Sequence, residues 1–170
     1  MRKVYHLDIG VKKIEDSLRI LHDVGIPLVP HVLVGLHYGM LRGEMEALRM
    51  ISKYPPSALV IIAFMPIPHT PMEQVKPLPP EIIASILASA RTLFPETPIT
   101  LGCMRPKGKH RARTDVLALK AGVNAIAFPA EEAVSLAEKM GYEIVFSPFC
   151  CSKIFLDIKR QGKTSFSAED

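Results

Sequence analysis

No stretch of this sequence approaches the roughly eighteen uninterrupted apolar residues that a membrane-spanning helix requires, because proline or histidine breaks each of the longer apolar runs. The opening segment, MRKVYHLDIG, lacks the apolar core of a secretory signal. Both absences lead to the expectation of a cytoplasmic protein with no membrane partner. An excess of one charge is missing as well. The 21 Lys and Arg residues face 17 Asp and Glu, a net charge of +4, too mild an imbalance to argue for nucleic acid. Cysteine is scarce: there are 3, an odd number, and Cys150 and Cys151 are neighbours, where a mutual bond would be strained. A disulfide framework is therefore disfavoured, leaving buried thiols or metal ligands. Neither a glycine-rich dinucleotide fingerprint nor a P-loop follows any apolar run, which leaves a nucleotide-binding Rossmann domain poorly supported.

What the chain does contain is a repeated unit. At 170 residues, 48% hydrophobic and 22% charged, it is sized for one domain with a real core. Three times an amphipathic segment closes on glycine and an apolar run follows: LHDVG-IPLVPHVLVGL, LALKAG-VNAIAFP and AEKMG-YEIVFSPF. Glycine favours the left-handed position just past a helix, so Gly25, Gly122 and Gly141 are expected helix stops. The runs that follow are short, rich in Val and Ile, and continuous, the pattern of strands buried on both faces in a parallel sheet. SALVIIAFMP and TPITLGC supply two more such strands.

Helices are expected where apolar residues recur at helical spacing: Ile14, Leu18 and Leu21; Met45, Leu48 and Ile51; Ile82, Ile83, Ile86, Leu87 and Ala90; Val116 and Leu117; and Val134, Leu136, Ala137 and Met140. Pro79-Pro80-Glu81 introduces the third, with proline tolerated in a first turn and an acid favourable at its positive end. The resulting order is five helix-strand pairs and then a tail from Ile154, an α/β fold with a parallel sheet. Five strands do not close a barrel. The sheet is thus either open or the latter part of a barrel whose first strands are absent.

The segments SLRILHDVGIPLVPHVLVGL, PPSALVIIAFMPIPHTPM and TPITLGCMRPKGKHRARTDVLALKAGVNAIAFP together resemble the C-terminal half of biotin-synthase-like radical S-adenosylmethionine proteins, most of all their archaeal homologues of unassigned or lipoyl-synthase-related function. The shared pattern is a strand closing on V-G-L, a strand ending in T-P-[LM], and a helix ending A-G-x-N-x-I, in that order between Ser17 and Pro129. The resemblance implies that residues 1–153 are about five βα units of a TIM-type barrel, with residues 154–170 a C-terminal tail. It implies a 5'-deoxyadenosyl radical made from S-adenosylmethionine at a 4Fe-4S cluster, hydrogen abstraction, and a small-molecule or acyl-carrier-borne substrate. Sulfur insertion enters if a second, auxiliary iron-sulfur cluster is present. The C-x-x-x-C-x-x-C motif that holds the first cluster does not occur here. The chain alone is therefore expected to be inactive, a truncated or split product, or a subunit completed by a second chain.

The resemblance places Gly35, Ile62, Ala63, Phe64 and Met65 beside the cofactor, Gly35 by allowing backbone approach and the others by backbone hydrogen bonds and an apolar wall. His69, in the proline-stiffened loop PIPHTPM, and Arg105, two residues after Cys103, are the substrate candidates. Cys103, Cys150 and Cys151 follow predicted strands. In a parallel barrel all strands end at one mouth, which makes these thiols candidate ligands of the auxiliary cluster, although adjacent cysteines on a strand point apart. His6, His31 and His37 lack the paired spacing of a zinc site.

A second function of another class also fits the sequence: a non-catalytic α/β module that takes a phosphorylated ligand or an acidic partner on the basic loop 105–113. That loop carries Lys107, Lys109, Arg111 and Arg113 beside Arg105 and His110. It has no interleaved aromatics for stacking nucleic-acid bases.

Overall fold

A computed structural model describes residues 2–164. Its elements run α1 (Arg2–Tyr5), α2 (Val11–Asp23), β1 (His31–Val34), α3 (Glu44–Ser52), β2 (Leu59–Ala63), α4 (Pro80–Leu93), β3 (Ile99–Leu101), α5 (Lys109–Lys120), β4 (Ala125–Ile126), α6 (Glu131–Lys139), a single 3-10 turn (Cys151–Lys153) and α7 (Ile154–Thr164). The four strands form one all-parallel sheet in the order β1-β2-β3-β4, each paired with its neighbour in sequence. Among the described residues no helix is long and apolar enough to cross a membrane.

The three glycine stops are the same motif built three times. Gly25, Gly122 and Gly141 have φ of 73°, 84° and 76°. Each donates its N–H to the carbonyl three residues back, and the next residue donates five residues back: Ile26 to Leu21, Val123 to Ala118, Tyr142 to Ala137. This double closure satisfies carbonyls that the helix end leaves without partners.

Residues alternate across the sheet with period two. Val32, Val34, Leu59, Ile61, Ala63, Ile99 and Leu101 point to one face and form the main core with Leu48 and Ile51 of α3, Ile83, Ile86, Leu87 and Ala90 of α4, and Ala118 of α5. Leu18 of α2 packs on the same cluster. Helices therefore layer one face. Leu33, Val60, Ile62 and Thr100 point to the opposite face, and Gly102 joins them, since a Cβ built there would lie 2.5 Å from Ile62 Cγ2 and 2.8 Å from Val60 Cγ1. Gly102→Ala is expected to lower stability by about 1–3 kcal/mol through overpacking, measured as a fall in the urea midpoint. Val60 and Thr100 are fully buried on this face. The 3-10 turn packs against β2 and β3, and Ile154, which follows it, is itself buried, so the segment 151–154 is the cover.

Two expectations need correction. Tyr142–Phe149 is not a fifth strand: it is irregular, and Tyr142, Val145, Phe146 and Phe149 are exposed. The cause lies in β4, which has only two residues because the chain turns away at Phe128, in the left-handed region with φ 49°. An edge that short gives a further strand almost no ladder to pair with. The apolar positions predicted for α5 are the second correction, since that helix buries Thr114, Asp115 and Ala118, while Val116 and Leu117 are only half-buried. The tail carries α7 as far as Thr164, and its remaining residues lie outside the described ones.

Candidate functional site

Parallel strands bring their C-terminal ends to one edge of the sheet, where the loops that leave them can build a site. Here those loops are residues 35–43, 64–79, 102–108 and 127–130. Gly35 leaves β1 with φ 79°, and a Cβ there would stand 3.0 Å from Leu78 Cδ1 and 3.8 Å from Phe64 Cβ. Its smallness thus lets Leu78 close over the strand end beside Phe64. The Gly35 N–H donates to Glu44 Oε1 at 2.9 Å, and the Arg42 N–H donates to Glu44 Oε2 at 2.6 Å.

Glu44 is buried at 7% exposure and ties the whole loop after β1 to the first turn of α3. It was not among the expected site residues. Its only signal in sequence is an acid opening an amphipathic helix, which says nothing of partners nine residues back. Glu44→Gln keeps one acceptor and turns the other into a donor facing an N–H. The expected loss is about 1–2 kcal/mol, read as a lowered urea midpoint with unchanged slope.

The nominated residues of β2 divide between the faces. Ala63 is buried toward the helices and Ile62 is half-buried on the opposite face. The Ala63 N–H donates to Met104 O at 2.9 Å and the Phe64 N–H to Val34 O at 2.8 Å, so both amides are engaged within the chain. Phe64 is buried and Met65 half-buried. His69 lies exposed in the proline loop with φ 62°, its N–H donating to Glu73 Oε2 at 2.8 Å.

Arg105, the other substrate candidate, is turned into the chain's own interior. Its side chain is completely buried, and Nε and Nη2 donate to the two oxygens of Asp115 at 2.6 and 2.8 Å. Nη1 donates to Gly102 O at 2.6 Å, and Nη2 also reaches Ala127 O at 2.9 Å. Asp115 in turn accepts from the Ala130 N–H at 2.9 Å. The planar fork, which suggested carboxylate recognition, recognises a carboxylate of the same chain. It clamps the turn after β3 to the loop after β4 and holds Phe128, 77% exposed, in its left-handed conformation.

Much of the basic loop is likewise engaged. His110 Nε2 donates to Leu78 O at 2.9 Å, and Arg113 Nε donates to Glu81 at 3.0 Å across the surface between α4 and α5. Backbone donation, and then Arg113, holds the Glu81 carboxyl below its ordinary range. Lys107 and Lys109 remain exposed. With Arg105, His110 and Arg113 engaged within the chain, the charge that the loop still presents is that of Lys107, Lys109 and Arg111.

The three cysteines do gather at this edge. Cys103 follows β3 and is exposed; Cys150 is exposed and Cys151 half-buried. The sulfurs of Cys150 and Cys151 stand 3.9 Å apart. Donation from the Ser152 amide and hydroxyl holds the Cys150 thiol below its ordinary value, whereas burial pushes Cys151 up despite the Cys103 N–H directed at its sulfur. Yet among the described residues no group of three His, Cys, Asp or Glu side chains is arranged to hold a metal ion. Cys150 immediately precedes the 3-10 turn and Cys151 opens it, so the two sulfurs stand side by side at the start of that turn. Iodoacetamide labelling of Cys150 is expected to reach its plateau at a lower pH than the ~8.5 midpoint of a free thiol would set, and that of Cys151 at a higher pH, as read by peptide mass spectrometry across a pH series.

A scan against protein-family models found no match to this chain. A search of the curated proteins found none either.

Proposed function

We propose that this chain forms the C-terminal part of a barrel enzyme of the radical S-adenosylmethionine type, related to biotin synthase and archaeal lipoyl synthase. The observation that carries the proposal is the topology. Four parallel strands pair strictly in sequence order, with α2 to α5 packed on one face. A doubly wound nucleotide fold reverses strand order and layers both faces, while consecutive βα units with helices outside make a segment of a barrel. The apolar stripe of α2 also favours incompleteness: Val11, Ile14 and Leu21 are exposed and no residue of the helix is buried.

The fit to S-adenosylmethionine is partial. Ile62 and Met65 keep accessible apolar surface at the strand ends and would wall an adenine. Gly35, Ala63 and Phe64 have their amides engaged within the chain. The chemistry such a cofactor would supply, if bound at a 4Fe-4S cluster held by another chain or segment, is a 5'-deoxyadenosyl radical. This chain's part is to close the barrel and shape the substrate side.

The test is co-expression with a chain carrying C-x-x-x-C-x-x-C, anaerobic purification, and measurement of 5'-deoxyadenosine after reduction with dithionite. Product from the pair and from neither chain alone is expected. A stable complex that binds its cluster and forms no 5'-deoxyadenosine would overturn the proposal.

A further inference from the structure

We infer that Cys150 and Cys151 form a peroxide-sensitive dithiol whose closure to a disulfide loosens the C-terminal segment from the face of the sheet it covers. The inference does not depend on the radical-enzyme proposal. Its first support is position. Cys150 is exposed where a dissolved oxidant can reach it, and the Cys151 sulfur, half-buried, stands 3.9 Å behind it. Reactive thiol in front and resolving thiol behind is the arrangement of a redox-sensing pair.

The chemistry closes with a hydroperoxide as the oxidant. The Cys150 thiolate attacks one peroxide oxygen, the O–O bond breaks, and the sulfur keeps that oxygen as a sulfenic acid. The second oxygen leaves as water or an alcohol after taking a proton, so the peroxide gains the two electrons that the sulfur loses. The Cys151 sulfur then attacks the Cys150 sulfur, an S–S bond forms, the S–O bond breaks, and the hydroxyl leaves as water with the Cys151 proton. An external dithiol reverses the step.

Strain makes the product labile and gives it a structural effect. Residues joined by a trans peptide have Cα atoms about 3.8 Å apart, below the roughly 4.4–6.8 Å usual for a disulfide. Strained disulfides have more oxidising potentials and are the readily reduced ones. The backbone must also rearrange between residues 150 and 151. The Lys153 N–H to Cys150 O bond of 2.8 Å begins there, and so does the turn that packs on β2 and β3 over Val60 and Thr100. The Thr100 hydroxyl is buried in this place with no hydrogen-bond partner, so water gains a polar contact once the cover loosens.

The experiment treats the reduced full-length protein with near-stoichiometric hydrogen peroxide, followed by tryptic mapping. Both cysteines lie in peptide 140–153, and Cys103 lies in another. The expected product is peptide 140–153 lighter by two hydrogens, at a rate that Cys103→Ser leaves unchanged. In Cys151→Ser, Cys150 should accumulate as a sulfenic acid trapped by dimedone. Hydrogen exchange should quicken over residues 151–154 on oxidation and return to its starting rate with dithiothreitol. A disulfide between the two peptides, direct passage of Cys150 to the sulfinic acid in the unsubstituted protein, or unchanged exchange over 151–154 in fully oxidised protein would each overturn the inference.

Discussion

Replacing Arg105 with alanine is expected to remove about 3–5 kcal/mol of folding stability, a large share of the roughly 5–15 kcal/mol that holds a domain together. The magnitude follows from what stays behind. Asp115 is fully buried, and without the guanidinium its carboxylate keeps, among the described residues, only the Ala130 N–H as a partner. The carbonyls of Gly102 and Ala127 lose their donor in the same step. Arg105→Lys should recover little, because one ammonium cannot reproduce a fork that meets two carboxylate oxygens and two carbonyls at once. The double variant Arg105→Met with Asp115→Leu removes the orphaned charge and should cost less than Arg105→Ala, leaving the carbonyls of Gly102 and Ala127 and the Ala130 N–H unpaired at about 1–3 kcal/mol. Urea unfolding of the four proteins measures the order directly. A single Arg105→Ala variant within 1 kcal/mol of the parent would mean that water reaches the pair.

Gly39→Ala is expected to cost about 2–4 kcal/mol, combining left-handed backbone strain with overpacking. Gly39 has φ 71°, and a Cβ there would fall inside contact distance of the Lys76 carbonyl oxygen and 3.2 Å from Val75 Cγ1. The obstacle is backbone, which cannot swing aside as a side-chain tip can, so the loops after β1 and β2 must separate. Gly43 is the control. Its φ is 100°, but nothing lies within 4 Å of a built Cβ, so Gly43→Ala carries strain alone and should cost about 1 kcal/mol. The difference between the two urea midpoints isolates the loop contact. Equal losses would show that the loops move apart without cost.

The elements that could be read in the sequence are those whose causes are local. A helix ending on glycine needs only its own last turn, and all three such stops were legible. LVIIA in β2 and ITL in β3 announce themselves as continuous apolar runs because both of their faces are covered. YEIVFSPF carries the same composition and yet forms no strand, since a strand also needs an edge, and the edge at β4 is cut short at Phe128. Arg105 misled for a related reason. Its partner Asp115 lies ten residues away on the buried side of a helix whose apolar spacing pointed elsewhere, and two facing charges in one sequence do not declare that they face each other. Glu44 escaped notice because its partners are backbone amides, which every residue carries. The cysteines were legible as a gathering of thiols, but their mutual orientation depends on a 3-10 turn that no local pattern announced.

Because every strand pairs with its neighbour in sequence, the sheet can be assembled one unit at a time, without waiting for distant parts of the chain to meet. The interior pair β2-β3 is bounded on both sides, whereas β1 and β4 each have one unpaired edge among the described strands. Opening should therefore begin at the two outer units and reach the middle last, giving the molecule a gradient of local stability along its own numbering. The Arg105 clamp works against that gradient at the β4 end: it fastens the turn after β3 to the loop after β4, and so offsets the weakness of a strand only two residues long.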